Sequence, residues 1–262
     1  MAYSSKKVYE KGVHLNIMKN NIRDGLLLLL AGLSMLTVSS TVHCEEYRDG
    51  MVALEHGRTM EALRIWTKLA ESGDYLAQQG IGVLYSNGFK NLKPNYEKAF
   101  FWLSKCSILV SCQLKLAGLY EEGHGTKKDA VHAAELYRQV LASTFDWPEG
   151  KNKASVKLGR LYFSRALGQE NQKEALPLFL AAANAGLAEA QLWSGVALTA
   201  SNRTQSPEDL VEADKWFLLA KMSDDLVSKL MAENFSKELE EKMTHEEMDK
   251  AKSLASAWRP SR

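Results

Sequence analysis

Apolar residues recur three and four positions apart along most of the chain after about residue 45. The pattern is clearest in two stretches, which carry Ala99, Trp102 and Leu103, and Ala213, Trp216, Phe217 and Ala220. This spacing lines apolar side chains along one side of an α-helix. No stretch alternates apolar and polar residues in the manner of a half-buried β-strand. The pattern therefore predicts a series of short amphipathic helices and an all-α fold.

The helical pattern occurs in four similar copies. Segments 77–88, 112–123, 154–165 and 190–201 each start with a small residue, and their starts are 35, 42 and 36 residues apart. A small residue stands five places after each start, and a tyrosine or leucine stands eight places after it: Gly82, Ala117, Gly159 and Gly195, then Tyr85, Tyr120, Tyr162 and Leu198. A second segment follows each first one, centred on Ala99, Ala133, Ala175 or Ala213. Each copy is therefore predicted to be a pair of helices.

Small and large side chains have complementary places in such a pair. The small residue of the first helix lets the second helix approach closely, and the aromatic residues of the second helix and at the end of the first are predicted to fill the space between neighbours. A large residue also stands three places after each central alanine: Trp102, Leu136, Leu178 or Trp216. One pair cannot bury its apolar faces alone, so the pairs must stack. An incomplete unit around Ala62, Trp66 and Gly73 precedes the four copies.

The order of residues in the copies resembles the Sel1-like repeat, a relative of the tetratricopeptide repeat. The segments that carry the resemblance are YLAQQGIGVLYSNG with NYEKAFFWLSKC, and LYEEGHGTKKDAVHAAELYRQ. The stretch EALRIWTKLAESGD before them looks like the opening unit of exported bacterial members. The resemblance implies an α/α superhelical solenoid, with about five helix pairs in residues 45–222. Two departures from the pattern are the long connection TFDWPEGKNK and the turn SNRTQSPEDL.

The C-terminal region, residues 223–262, is predicted to form capping helices. The last repeat of a stack would otherwise expose its apolar face. Thr244 and Glu247 form a capping-box pattern at the start of one such helix. The alternative is a separate small domain.

Residues 1–44 have the pattern of a secretory signal peptide. Basic residues precede an uncharged, apolar stretch at residues 25–42, and small polar residues end it. Met18 is an alternative start. We expect cleavage and a periplasmic or secreted protein, so membrane contact is expected only through an uncleaved segment. The alternatives are an uncleaved membrane anchor and a lipoprotein acylated at Cys44.

Composition and motifs argue against several classes of function. The chain has 33 Lys and Arg against 32 Asp and Glu, so without a basic surplus we expect no nucleic-acid partner. Its 6 histidines have no metal-binding spacing, and no HExxH motif, P-loop, GxSxG elbow or dinucleotide fingerprint occurs. We therefore expect no metal, no cofactor and no enzymatic activity. His124, which lies between two glycines, is expected to be a solvated turn residue.

Two cysteines lie at the junction between the first and second full repeats. This junction is shorter than the equivalent junctions elsewhere, and Cys106 and Cys112 face each other across it. In an oxidising compartment such a pair is expected to form a disulfide. Bridges at much this place are also a feature of cysteine-rich Sel1-like proteins of bacteria. The alternative is a pair of buried free thiols.

A candidate binding surface follows from the first helices of the repeats, which usually line the inner side of such a stack. Some Sel1-like relatives hold a ligand backbone with an asparagine three places after the start of this helix. The equivalent residues here are Gly80, Lys115, Lys157 and Trp193. With Arg160 they suggest a basic and aromatic patch for an acidic partner, with Trp193 as an apolar anchor. The alternative is that the lysines are merely solvated and Trp193 packs in the core.

These observations favour a non-catalytic scaffold that binds another protein in the bacterial envelope or outside the cell. A second interpretation is a binding module for an envelope glycan or a peptidoglycan-type ligand. A hydrolase whose catalytic residues come from distant repeats is the third. The identity of the protein partner does not follow from the sequence.

Overall fold

The computed structural model describes residues 45–168, 173–200 and 206–261. In these residues it contains twelve α-helices, and its only β structure is an isolated bridge between Phe89 and Leu92. Helix α1 comprises residues 45–55. Helices α2 to α12 are, in chain order, Thr59–Glu71, Tyr75–Asn87, Tyr96–Lys105, Val110–Glu122, Ala130–Ala142, Pro148–Phe163, Ala175–Asn184, Ala188–Leu198, Pro207–Lys221, Leu226–Glu240 and His245–Ala257. The predicted all-α fold of paired helices is confirmed.

The chain divides into two compact units. Among the described residues, the first comprises 45–81 together with Phe89–Leu92, and the second comprises Gly82–Gly88 together with 93–168, 173–200 and 206–261. In the first unit the buried Trp66 ring stacks on Tyr47, with ring centroids 5.4 Å apart. The Trp66 Nε1 atom also donates a hydrogen bond to the Tyr47 carbonyl oxygen. The core of the first unit is therefore centred on this tryptophan.

In the second unit each helix from α4 to α10 packs against the next helix in the chain, and α12 packs against α10. Two glycines permit the closest of these approaches. A Cβ atom at Gly159 of α7 would lie 2.6 Å from Cε1 of Phe179 on α8. One at Gly195 of α9 would lie 2.4 Å from Cε1 of Phe217 on α10. The small residues of the first helices thus have the role predicted from the sequence.

In three repeats the large residue that lies against the glycine of the first helix stands four places after the central alanine. These residues are Leu103, Phe179 and Phe217. The position four places on is rotated only about 40° from the alanine, against about 60° for the position three places on. Because the alanine itself faces the first helix, the fourth position points more directly into the interface.

The first two full repeats reverse the chain in the same way. The backbone N–H of Asn95 donates to the carbonyl of Tyr85, and that of Asp129 donates to the carbonyl of Tyr120, both at 2.8 Å. The side chains of Asn95 and Asp129 then cap α4 and α6 by accepting from backbone N–H groups in the first turn. Each turn is therefore tied to the tyrosine that the repeat pattern identified.

The two departures from the repeat pattern have different structures. The long connection TFDWPEGKNK is not a longer loop, because α7 begins inside it at Pro148 and continues through the rest of it. Proline is well suited to this first helical position, where its missing N–H has no helical partner. Residues 201–205 of the second departure lie outside the described residues, and α10 begins after a capping box formed by Ser206 and Asp209.

The C-terminal region forms α11 and α12. The predicted capping box of Thr244 and Glu247 is present at the start of α12. After α12 the chain returns to the turn between α8 and α9, where the Ser261 N–H donates to the Asn184 carbonyl at 2.7 Å. The assignment of 223–262 as an end cap stays a prediction.

The signal-peptide prediction for residues 1–44 lies outside the described residues. In the part of the chain that is described, no helix has the length and apolar character needed to cross a bilayer.

Cys106 and Cys112 form a disulfide between the end of α4 and the first turn of α5, with their Cα atoms 5.9 Å apart. Both residues are completely buried. The bridge closes a short loop, and loop-closure entropy for such a loop gives a stabilisation of about 2 kcal/mol.

We expect the double substitution Cys106→Ala with Cys112→Ala to lower the free energy of unfolding by about 2 kcal/mol, since the unfolded chain regains the freedom that the bridge removes. Equilibrium urea denaturation of the oxidised protein and the double variant measures the difference. Reductant should shift the wild-type curve towards that of the variant and leave the variant unchanged. Coincident curves for the oxidised protein and the variant would contradict the prediction.

Candidate functional site

A groove of about 550 Å³ lies in the second unit, between the end of α3 and the helices α4, α5, α7 and α9. Polar, basic and aromatic side chains share its lining. The lining residues are Ser86, Asn87, Tyr96, Leu114, Lys115, Gly118, Leu119, Glu122, His124, Tyr137, Trp147, Lys153, Lys157 and Glu189. The groove therefore takes its lining from four successive repeats.

The structure brings Lys115 of α5 and Lys157 of α7 to this one groove, as the sequence suggested. Neither lysine has an ion-pair partner among the described residues, and Lys115 is exposed while Lys157 is half-buried. Lys153, one helical turn before Lys157, also lines the groove, and its Nζ atom lies 2.6 Å from Oε1 of Glu149. Two of the three lysines thus keep their charge available for a ligand.

The carboxylates that line the groove have cationic or polar partners within the protein. Oε2 of Glu122 lies 2.9 Å from Nδ1 of His124. Oε1 of Glu189 accepts a hydrogen bond from Nη1 of Arg160 at 3.1 Å. These contacts hold the acidic groups in place, so the acidic lining offers less charge to a ligand than Lys115 and Lys157 do.

Two aromatic rings that were not identified from the sequence also line the groove. Tyr96 stacks on His124, with ring centroids 4.0 Å apart and the planes within 8°. His124 lies in the turn after α5 with its side chain 39% exposed, as expected for a solvated turn residue, and it also contacts the Tyr96 ring. Trp147 precedes α7, and its ring lies over Gly150, where an added Cβ atom would be 2.1 Å from the ring. The signal in the sequence that could have identified Trp147 was the Trp-Pro pair inside the connection TFDWPEGKNK, which departs from the repeat pattern.

Trp193 does not line the groove, which corrects its predicted role as an apolar anchor. Its ring is half-buried and stacks against Phe179, with centroids 6.0 Å apart, while Phe163 contacts it edge-on at 5.9 Å. The guanidinium of Arg160 lies over the outer side of the same ring, 5.6 Å from its centroid. Trp193 belongs to the core because the face of α9 that carries it is turned towards α7 and α8.

Arg160 is likewise behind the groove rather than in it. The Arg160 guanidinium has two contacts within the protein. It forms an ion pair with Glu189 and lies over the Trp193 ring. Gly80, the first of the four aligned positions, lies in the other unit of the chain. Of the predicted patch of Lys115, Lys157, Arg160 and Trp193, the two lysines are therefore the part that faces the groove.

Side-chain hydrogen bonds join the helices that form the groove. The buried Tyr137 hydroxyl of α6 donates to Oε2 of Glu121 on α5 at 2.7 Å, and burial followed by the nearby Glu121 charge raises the pKa of Tyr137. Arg138 of α6 donates from Nε to the Tyr162 hydroxyl of α7 at 3.0 Å. The Arg160–Glu189 pair continues the series from α7 to α9. The helices around the groove are thus fastened to one another by polar contacts as well as by apolar packing.

The described residues contain no cluster of three or more His, Cys, Asp or Glu side chains that could hold a metal ion. Two titratable groups beside the groove, Tyr137 and Glu121, form a hydrogen bond within the protein. The lining presents charged groups, hydrogen-bonding groups and aromatic rings.

The model of the Sel1 repeat family matches residues 76–105, 110–139 and 152–187. The chain therefore contains three Sel1 repeats. Sel1 repeat proteins generally act as scaffolds for protein–protein interaction and are typically non-catalytic. Two of the matches cover α3 with α4 and α5 with α6, and the third extends from α7 to the turn after α8.

Two solved Sel1-type structures share the fold. A protective antigen present in uropathogenic Escherichia coli strains, which displays an SLR fold, matches 81% of this chain and 44% of its own with a TM-score of 0.67 and 24% identity. A Sel1 repeat protein from Oxalobacter formigenes matches 82% of this chain and 87% of its own, with a TM-score of 0.57 and 20% identity. At these identities the likeness concerns the fold alone, which is a solenoid of Sel1 repeats.

A curated relative is the ERAD-associated E3 ubiquitin-protein ligase component HRD3B of Arabidopsis thaliana. It is 30% identical over 118 residues, which are 45% of this chain and 18% of the plant protein. The match thus spans less than a fifth of the relative's length. Sel1 repeat proteins in general bind other proteins.

Proposed function

We propose that this protein is a non-catalytic scaffold of the bacterial envelope or the extracellular space, and that its groove binds an acidic segment of a partner protein. One observation carries the proposal. Lys115 and Lys157 line the same groove without carboxylate partners, while Glu122 and Glu189 beside them are already engaged. An acidic segment would supply the missing counter-charges.

The aromatic lining adds a second kind of contact. Trp147 and Tyr96 present ring surface to the groove, and rings of this type contribute strongly to protein interfaces when an apolar side chain covers them. A segment that alternates carboxylates with an aliphatic or aromatic residue would satisfy both the lysines and the rings. Because its charges remain partly solvated, we expect moderate affinity that falls as ionic strength rises.

We expect Lys115→Glu with Lys157→Glu to weaken binding of a fluorescein-labelled peptide rich in Glu and Leu at least tenfold, which corresponds to about 1.4 kcal/mol. Fluorescence anisotropy measures the change. Lys127→Glu with Lys128→Glu is the matched control, because both residues are exposed, lie outside the groove and change the net charge equally. Equal weakening by both double variants, or by neither, would count against the groove as the binding site.

The location is a separate part of the proposal. The signal-peptide pattern in residues 1–44 favours export. The Cys106–Cys112 bridge is consistent with an oxidising compartment. Intact-mass measurement of the protein from periplasmic and culture fractions of the producing bacterium tests it, since cleavage after Ser40 or Cys44 gives distinct masses.

A glycan or peptidoglycan-type ligand is the second candidate for the same groove, because the Trp147 and Tyr96 rings could stack on sugar faces. The two candidates respond differently to substitution. A neutral oligosaccharide would lose affinity on Trp147→Ala and keep it in the Lys115 and Lys157 variant. An acidic peptide would lose affinity in both.

A further inference from the structure

Gly118 is a glycine in the middle of α5 that close packing does not explain. Glycine is less favourable than alanine inside a helix, yet a Cβ atom added at Gly118 would meet only the Tyr137 hydroxyl, at 4.0 Å. The small residue predicted to meet the second helix is the preceding one, Ala117, which is completely buried. Gly118 itself is half-buried and lines the groove, so the space that it leaves opens into the groove.

The other repeats have a longer or branched side chain at the position of Gly118. This position is six places after the start of each first helix, and its residues in the other repeats are Val83, Arg160 and Val196. Arg160 of α7 reaches the next first helix, α9, where its guanidinium lies 5.6 Å from the centroid of Trp193. Trp193 stands three places after the start of its own repeat, and the equivalent residue of α7 is Lys157. Gly118 and Lys157 thus form the equivalent pair one repeat earlier, and there the covering side chain is absent.

Apolar and cationic groups surround the open place beside Gly118. Leu114 precedes Gly118 by one helical turn, and Leu114 and Trp147 are both half-buried and line the groove. Lys157 supplies a cation to the same lining. The Tyr137 hydroxyl already donates to Glu121, so its proton is engaged within the protein. We call the place formed by Leu114, Gly118, Trp147 and Lys157 the Gly118 pocket.

We propose that the Gly118 pocket takes an aromatic side chain of the acidic segment, an inference that rests on the function proposed above. An aromatic ring can pack on Leu114 and Trp147 and present its face to the Lys157 ammonium. This arrangement is the reverse of the Arg160–Trp193 contact, since here the protein supplies the cation and the ligand supplies the ring. A cationic ligand side chain would be repelled by Lys157. Lys115, on the same face of α5, remains for a carboxylate of the segment.

Gly118 is therefore the residue that determines specificity, because a side chain at this position would fill the pocket. Valine, which two other repeats have there, is no worse than glycine in a helix, so Gly118→Val should fold normally. Ala181→Val is the matched control, because Ala181 is exposed on α8 and lies outside the groove. Circular dichroism checks that both variants keep their helical content.

Fluorescence anisotropy with three labelled Glu-rich peptides of equal charge tests the proposal. Their central residue is phenylalanine, cyclohexylalanine or alanine. The wild type should bind the phenylalanine peptide about tenfold more tightly than the alanine peptide. The cyclohexylalanine peptide should bind several-fold more weakly than the phenylalanine peptide, because a saturated ring offers no π face to the Lys157 ammonium.

Gly118→Val should lower affinity for the phenylalanine peptide to that for the alanine peptide and leave the alanine peptide unaffected. Ala181→Val should bind all three peptides as the wild type does. Gly118→Ala should also weaken the phenylalanine peptide. Because alanine favours the helix, that loss cannot come from unfolding.

The outcomes separate this inference from the proposed function. Equal binding of the phenylalanine peptide and either of the others by the wild type overturns the inference. So does a Gly118→Val protein that keeps the difference between the peptides, or one that weakens all of them equally. In each of these cases, loss of binding in Lys115→Glu with Lys157→Glu still supports the groove. If no peptide binds the wild type, the proposed function fails and the inference fails with it.

Discussion

Replacing Phe179 with alanine is expected to lower the free energy of unfolding by about 4 kcal/mol, the largest effect among our predictions. The Phe179 ring is completely buried, fills the space against Gly159 and contacts both Phe163 and Trp193. Alanine would leave a cavity between α7, α8 and α9 that these rings are too rigid to fill. Equilibrium denaturation in urea, followed by circular dichroism, measures the loss.

Phe145→Ala is the control for this substitution. Phe145 is 63% exposed in the connection before α7, so the same chemical change there removes little packing. We expect a difference within about 0.5 kcal/mol of the wild type. A loss at Phe179 no larger than that at Phe145 would mean that α8 does not pack on α7 as described.

Replacing Gly195 with alanine is expected to destabilise the protein by about 2 to 3 kcal/mol, although alanine is the better helix former. The added methyl group would lie 2.4 Å from the Phe217 ring, so α9 and α10 would have to move apart. Thermal unfolding of the variant and the wild type measures the effect.

Gly118→Ala provides the opposite expectation within the same fold. Gly118 lies in the middle of α5, and the nearest atom to an added Cβ is the Tyr137 hydroxyl at 4.0 Å. Because nothing has to move, the helix preference of alanine should raise stability by about 0.5 to 1 kcal/mol. If Gly118→Ala and Gly195→Ala changed the stability in the same direction, this would refute the distinction between a glycine required by close packing and one that is not.

Much of the fold could be predicted from the sequence, because helix pairing is determined by the side chains that repeat. The spacing of local features limits which helices can pair. These features are the glycines at 159 and 195 and the short junction at Cys106 and Cys112. The apolar pattern contains large residues both three and four places after the alanine, about 100° apart around the helix, and it did not decide which of them lies against the glycine. The spacing of apolar residues indicates which face of a helix is buried. Packing against the neighbouring helix decides which residue of that face points into the interface.

The groove was predictable only in part. Lys115 and Lys157 occupy equivalent positions in successive repeats, so the stacking of the repeats brings them together. Trp193 occupies an equivalent position too, yet it packs in the core because large rings on α7 and α8 surround it. Trp147 comes from the connection that departs from the repeat. Its place depends on where α7 begins, which no repeat pattern specifies.

The series of side-chain hydrogen bonds from α5 to α9 has a consequence for the energetics of recognition. With Tyr137, Arg138 and Arg160 each holding a neighbouring helix, the binding surface is already ordered before any ligand arrives. The conformational entropy lost on association then comes mainly from the ligand. A peptide stiffened by proline or by cyclisation in the bound shape would therefore gain affinity without forming a single additional contact.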